Sequence, residues 1–230
     1  MDFSIRSNQF ELLDRQDIPS ADIERNMAEL EFINRHLGGH AITIEGVRRL
    51  AGPQPGLHVC EIGCGGGDNG KAIEKSLQEN NIHLSYTGID INPHCIRVAE
   101  NRIWISQIRF LISDYKKVVF ANKPDIIFCS LFCHHFKEAE LVDMLRWMSD
   151  NAKAGFFIND LHRHPLAYHS IRLLTSAFSN SYLVKHDAPL SVLRGFRKKE
   201  LRDLLKQAGI QDFTIEWKWA FRWLILVKHL

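Results

Sequence analysis

The stretch His58-Val59-Cys60-Glu61-Ile62-Gly63-Cys64-Gly65-Gly66-Gly67-Asp68-Asn69-Gly70 constrains this 230-residue chain more than any other. It starts as a β-prone run, closes on an acid, turns through dense glycine and continues into a helix-like segment. Glycine has no Cβ, so a turn on Gly63, Gly65 and Gly67 can take positive φ and let a ligand approach the backbone where the next helix begins. A strand that feeds a helix through such a turn is the opening unit of an α/β fold with a nucleotide-type cofactor site.

Spacing alone does not choose the ligand, because Gly65, Gly67 and Gly70 also satisfy the G-x-G-x-x-G pattern of dinucleotide pyrophosphate sites. Charge argues the other way. Counted from Gly63, the third glycine position holds Asp68, and Glu61 precedes the turn. Both acids repel a pyrophosphate and suit a ligand carrying an ammonium and a sulfonium. A second anchor, Tyr86-Thr87-Gly88-Ile89-Asp90-Ile91-Asn92-Pro93, is a short strand ending in an acid before an Asn-Pro turn and a helix. The Asp90 carboxylate there can accept from both hydroxyls of a ribose, or serve as a helix N-cap. A third block, Ile108-Arg109-Phe110-Leu111-Ile112-Ser113-Asp114-Tyr115, ends with Asp114 placed to accept from an adenine amino group and Tyr115 to flank the ring.

In this order the three blocks resemble the class I S-adenosylmethionine-dependent methyltransferases, over roughly residues 55–230. The resemblance implies an α/β, Rossmann-like fold: a seven-stranded, mostly parallel sheet with helices on both faces, an antiparallel C-terminal hairpin and an N-terminal helical lid. It implies S-adenosyl-L-methionine as cofactor. Glu61, Gly63, Gly65 and Gly67 would line its methionine end, Asp90 and Ile91 hold ribose and adenine, and Asp114 and Tyr115 meet the adenine. Ser130 and Arg35 complete the expected cofactor contacts. Segments 34–40, 159–168 and 187–196 look like small bacterial methyltransferases that resemble quinone-biosynthesis enzymes, some associated with phenolic or polyketide products. On that likeness residues 1–55 form a lid ahead of a methyltransferase domain at 56–230, with segment 160–196 closing over the cofactor. Arg35 or Arg194 would then pair with a carboxylate of cofactor or substrate, the alternative being surface ion pairs.

Periodicity agrees with that fold. Ile23, Met27, Leu30 and Leu37 recur at helical spacing until Gly38-Gly39, after an irregular polar stretch at 1–21, and a short helix covers 41–50. Strands then fall near 57–62, 84–89, 107–112, 124–130 and 153–159, alternating with helices near 69–79, 93–103, 137–149 and 166–178, which predicts a parallel sheet. A helix near 198–208 precedes two strand-like runs at 212–218 and 221–227. At 45% hydrophobic residues the chain can bury one substantial core. Net charge is only +2 and the basic residues are dispersed, apart from the cluster at 194–199, so no nucleic-acid footprint is evident. The five cysteines contain no C-x-x-C pair, which favours reduced structural thiols. No apolar run reaches the roughly 18 residues of a membrane span, and the expected setting is cytoplasmic. Nothing in the pattern fixes an oligomeric state.

Ligands of open α/β sheets bind beyond the carboxyl ends of the strands. Two exits carry chemistry: Ser130-Leu131-Phe132-Cys133-His134-His135-Phe136 after the fourth strand, and Asn159-Asp160-Leu161-His162-Arg163-His164 at the fifth. Methyl transfer from an activated donor is an in-line displacement, so the protein supplies alignment and, for a phenol, a proton acceptor. A histidine with an unperturbed pKa of about 6.5 suits that task. His134 and His135 rank first as catalytic candidates, followed by His162 and His164, the alternative for each being a helix cap or a backbone hydrogen bond. The acceptor pocket is expected beneath Phe132, Phe136, Leu166 and Tyr168. Ser130-Leu131-Phe132-Cys133 lacks the Asn/Asp-Pro-Pro-aromatic pattern of enzymes that methylate base nitrogens. Asn159-Asp160 and the histidines could ligate a hard cation, but no carboxylate follows the fourth strand, so no metal is expected. The expected acceptor is an oxygen, or else a carbon, of an aromatic or phenolic small molecule. The alternatives are a protein or RNA acceptor, or a non-catalytic cofactor-binding regulator.

Overall fold

The computed structural model describes residues 2–15 and 17–229. Its sheet has seven strands: β1 (Gly56–Ile62), β2 (His83–Asp90), β3 (Gln107–Ile112), β4 (Ile126–Ser130), β5 (Gly155–Leu161), β6 (Thr214–Lys218) and β7 (Arg222–Lys228). Their order is β3-β2-β1-β4-β5-β7-β6. The first five run parallel, and β7 pairs antiparallel with both β5 and β6. Among the described residues eight α-helices accompany them: α1 (Ser20–His36), α2 (Gly39–Leu50), α3 (Asp68–Gln78), α4 (Pro93–Glu100), α5 (Glu138–Asn151), α6 (Pro165–Phe178), α7 (Tyr182–Arg194) and α8 (Lys198–Gln207). Among the described residues no helix is long and apolar enough to cross a membrane.

A parallel strand covered on both faces must be apolar at consecutive positions rather than alternate ones. β4 is buried at every residue. Its side chains divide by parity: Ile127 and Cys129 join Cys60, Phe156, Met144 and Leu205 on one face, and Ile126 and Phe128 join Val59, Phe157, Val47 and Ile73 on the other. Each large aliphatic or aromatic side chain so buried contributes about 1.5–3 kcal/mol. The Asn-Pro signal at 92–93 is a helix start, with Pro93 in the first turn of α4 and the Asn92 side chain accepting from the His94 amide at 2.9 Å.

α7 is not among the helices that periodicity marks, and its interior Pro189 removes a ladder hydrogen bond. The helix forms because it is buried on most sides, through Leu183, Val184, Leu190 and Val192, and because Ser181 Oγ accepts from the Val184 amide. A separate cluster of Ile18, Ile23, Met27, Cys95 and Leu183 joins α1 to α4 and α7, so that α1 and α7 roof the carboxyl edge of the sheet.

The N-terminal stretch is not loose. Fully buried Arg163 donates to the Phe3 and Ser4 carbonyls at 2.9 and 3.2 Å and pairs with Glu200. Asp187 accepts from the Leu12 and Leu13 amides at 2.8 and 3.0 Å, fixing a short 3-10 turn at Leu12–Asp14. These anchors lay residues 2–15 as a strap across the strand exits.

Candidate active site

A cavity of about 940 Å³ lies over the carboxyl ends of the strands, bounded by the glycine loop, α1, α7, the strap and the exits of β4 and β5. At one end, Gly63, Gly65 and Gly67 take φ of +69°, +49° and +73°. The Gly63 and Cys64 amides donate to the Ile89 carbonyl, and the Gly65 and Asn92 amides donate to the two carboxylate oxygens of Asp90 at 2.9 and 2.8 Å. Asp90 therefore clamps the loop to the end of β2 and leaves the capping of α4 to Asn92. Burial pushes its pKa up against those amide contacts. A Cβ on Gly63 would stand 2.1 Å from the Phe132 ring, so the loop fits against the β4 exit only without one.

Gly63, Gly65, Asp90, Ile91, Asp114, Tyr115 and Ser130 all border this cavity, and the structure brings them together from four strand ends. Three expected cofactor residues do not border it. Glu61 lies fully buried beneath the loop, its oxygens taken by the Tyr86 hydroxyl and by Asn69 Nδ2, and burial drives its pKa well up. Gly67 faces Ala99 and Trp104 and turns the chain into α3. Arg35 sits on the exposed side of α1, because Ile23, Met27, Leu30, Asn34 and Leu37 form the stripe that meets the cavity and position 35 falls outside it.

Asp68 borders the cavity in place of Glu61. It accepts from Asn34 Nδ2 at 3.1 Å and His40 Nε2 at 2.7 Å; burial works to raise its pKa, and those partners hold it below the ordinary carboxylate value. Three cavity-wall polar atoms, Asn26 Nδ2, Tyr115 Oη and Arg222 Nη1, are buried without a hydrogen-bond partner among the described residues. Arg222 is nearly fully buried, donates through Nη2 to Asn34 Oδ1 at 3.0 Å, and burial lowers its pKa to about 10. Sequence reasoning missed it, although a lone arginine heading the apolar run Trp223-Leu224-Ile225-Leu226-Val227 was a usable signal.

The other end holds the histidines. His134 is buried, with Nδ1 at 2.8 Å from Asp160 Oδ1 and Nε2 at 3.4 Å from Glu11 Oε1. Burial alone would lower its pKa; the carboxylates of Asp160 and Glu11 outweigh that and raise it to about 10. Burial likewise works against charge on Glu11, and the contact with His134 prevails and holds it at about 2. Both ring nitrogens of His134 thus face carboxylates that favour its protonated form, which makes it a poor acceptor for a substrate proton. His135 is 22% exposed, with Nε2 3.7 Å from Glu11 Oε2 and Nδ1 3.3 Å from Asp14 Oδ1. Glu11 came from the stretch read as irregular, and nothing in its local sequence marks it.

His162 and His164 do not border the cavity. His162 packs against Trp223 and His164, with ring centroids 4.7 and 5.3 Å away, and its pKa falls to about 4 through burial and then the charges of His164, Arg163 and Arg197. His164 caps α6, Nδ1 accepting from the Leu166 amide. Arg194 is no surface ion pair: buried, it donates to the carbonyls of Gln9, His134 and His135 at 2.5, 3.1 and 2.7 Å. Phe132 and Phe136 line the pocket as expected. Leu166 is 64% exposed and Tyr168 packs on Phe3, and neither borders it.

The methyltransferase-domain family matches residues 59–155, from β1 to the start of β5. No curated protein matches the sequence. Among solved structures, a plantazolicin methyltransferase in complex with a monoazolic desmethyl-plantazolicin analogue and SAH is 18% identical, covers 92% of this chain and 89% of its own, and superposes with a TM-score of 0.64. Human N-acetylserotonin methyltransferase in complex with SAM is 19% identical over 91% of this chain and 56% of its own, with a TM-score of 0.62. Magnesium protoporphyrin IX methyltransferase from Synechocystis PCC 6803, with bound SAH, is 17% identical over 83% of this chain and 81% of its own, with a TM-score of 0.53. At these identities the likeness is one of fold, and the fold is the seven-stranded one described above.

Proposed function

We propose that this chain, whose residues 59–155 form a methyltransferase domain, is an S-adenosylmethionine-dependent enzyme that methylates an oxygen of an aromatic or phenolic small molecule. All three solved relatives above are methyltransferases whose structures hold SAM or SAH. When bound, S-adenosylmethionine supplies a methyl group on an already activated sulfonium. The residues present fit it. Asp90 accepts from the ribose hydroxyls, Asp68 receives the ammonium, and the Arg222 guanidinium, held in the cavity wall by Asn34, is the cation for the carboxylate. Asp114, Ile91 and Tyr115 flank the adenine, and Ser130 stands at the floor between the two ends. The helices α1 and α7 roof the cavity and exclude water together with the strap, so the lid expected over 1–55 narrows to the strap and α1, because α2 packs on the sheet through Ile42, Val47 and Leu50.

The acceptor sits in the apolar half, among Phe10, Leu13, Phe132, Phe136, Ile171 and Leu174. His135 takes the phenolic proton at Nε2, while Asp14 holds the opposite nitrogen. His134, already charged, orients the turn and adds a positive field where phenolate character develops. A roofed cavity of this size suits a small molecule better than a protein or RNA. The five buried free thiols agree with a reducing, cytoplasmic setting.

The observation that carries the reading is one cavity that joins a glycine loop clamped by Asp90 to an apolar pocket ending at His135. It is tested by incubating the protein with methyl-labelled S-adenosylmethionine and a panel of phenols and hydroquinones. His135→Ala should lower turnover about 100-fold at unchanged cofactor affinity, and His162→Ala should match wild type. Cofactor binding without methylation of any phenol would contradict the reading and favour a regulatory protein.

A further inference from the structure

We propose that Glu11, His134 and His135 form a binding site for one divalent transition-metal ion at the wall of the cavity. Each of the three residues offers one ligand atom, and these atoms lie within 4.8 Å of one another. Two carboxylate-to-imidazole separations are 3.4 Å (Glu11 Oε1 to His134 Nε2) and 3.7 Å (Glu11 Oε2 to His135 Nε2). Neither is a good hydrogen bond, yet ligands bound at about 2.0–2.1 Å around a tetrahedral ion are themselves about 3.3 Å apart. Small side-chain movements therefore close the site, and His135 and the cavity beyond it leave a coordination position open.

The surroundings are those of a metal centre. A ligating histidine commonly donates its other ring N–H to a carboxylate, which fixes the tautomer and presents the free nitrogen to the ion. Both histidines have this partner on the correct nitrogen: Asp160 at 2.8 Å from His134 Nδ1 and Asp14 at 3.3 Å from His135 Nδ1. Ser191 Oγ donates to Glu11 Oε1 at 2.8 Å and steadies the third ligand. Three carboxylates, Glu11, Asp14 and Asp160, thus surround two imidazoles and offset the charge of a dication, with Arg6 and Arg194 the arginines nearby. Arg194 adds one positive charge, its Nε 4.0 Å from Glu11 Oε1, but its donors are committed to the Gln9, His134 and His135 carbonyls, which hold both ligand-bearing segments in place.

Two imidazoles and one carboxylate with an open position suit borderline ions such as Zn²⁺, Fe²⁺ or Mn²⁺ rather than Mg²⁺, which prefers an all-oxygen shell. Binding releases the proton that Glu11 favours on His134 Nε2 and occupies His135 Nε2, so in the metal-loaded protein the ion, in place of His135 as base, would hold and acidify the oxygen that receives the methyl group; this consequence rests on the methyl-transfer reading, whereas binding of the ion does not.

The test strips the full-length protein with a chelator and titrates it calorimetrically with Zn²⁺ and, separately, Mg²⁺. One equivalent of Zn²⁺ should bind with a Kd at or below the micromolar range, and Mg²⁺ should not bind. His135→Ala and Glu11→Gln should each weaken Zn²⁺ roughly 100-fold, at or beyond the upper end of the loss that follows removal of a supporting partner. If Glu11→Gln fails to fold, the partly exposed His135→Ala carries the result. Absorption of the Co²⁺-loaded protein gives a second readout, with visible d–d bands in the wild type that His135→Ala abolishes. Wild-type protein that takes up no Zn²⁺, or a His135→Ala variant that binds it as wild type does, overturns the site. Titrating the same sample with S-adenosylmethionine separates this failure from failure of the cofactor reading.

Discussion

At the glycine-loop end of the cavity, Asp90 reaches the Gly65 amide across 25 residues and the Asn92 amide across two. At the histidine end, Arg6 meets the His134 carbonyl from 128 residues away, and Arg194 meets it from 60. The first end is a product of consecutive strand-to-helix turns, whose geometry local residue types dictate. The second is assembled by packing the strap and α7 onto a strand exit, so its chemistry exists only in the folded chain. A cofactor shared by many acceptors suits the first kind of construction, and an acceptor pocket that must be individual suits the second.

The strongest blow to the comparison falls on the glycine loop. Gly63→Ala should abolish S-adenosylmethionine binding by calorimetry, because the new Cβ meets the Phe132 ring at 2.1 Å and the residue keeps a φ of +69°. Backbone strain of this kind is on the order of 1–3 kcal/mol before the clash is counted. At the other end, Asp160→Ala should lower unfolding free energy by about 3–5 kcal/mol in chemical denaturation, as expected when a buried ion pair loses one member. Its cofactor affinity should stay near wild type; equal damage to binding would show that the two ends are one unit. Arg222→Gln should weaken S-adenosylmethionine about tenfold or more, the magnitude of a lost charge-assisted contact, and Arg222→Lys should not restore it.

The histidine readings show where local pattern stops. The alternation of strands and helices, the placing of Asp90 and Asp114 at strand ends and the C-terminal hairpin were legible because each depends on residues a few positions apart, whereas Glu61 lies beneath the loop and Asp68 borders the cavity instead. Glu11 and α7 were not legible. Glu11 acquires its role only from Ser191, Arg194 and His134, three partners remote in sequence, and α7 is helical through burial that outweighs Pro189. The same limit explains why Arg222 and not Arg35 borders the cavity: the helical phase of α1 turns Arg35 outward. His162 looked like a base because it follows a strand, and the antiparallel neighbour β7 instead covers it with Trp223.

Smaller effects sharpen that distinction. The folded protein resists protonating His162, whose pKa drops to about 4 from 6.5, with His164, Arg163 and Arg197 the charged groups facing it. The unfolded chain therefore binds more protons between these values, so this contribution to stability is complete above pH 6.5 and is lost as pH falls through about 4. His162→Gln should flatten the decline of Tm over that window while leaving the pH profile of turnover unchanged. Smallest of all, Arg35→Ala should change stability by no more than about 0.5 kcal/mol and leave S-adenosylmethionine affinity unaltered.

The central claim is that the clamped glycine loop holds a methyl donor. Calorimetric titration of the purified protein with S-adenosylmethionine and, separately, with NADH tests it most directly. The account predicts one site for S-adenosylmethionine in the micromolar range, weakened in Asp90→Ala, and no heat of binding for NADH. Binding of NADH with none for S-adenosylmethionine would contradict it.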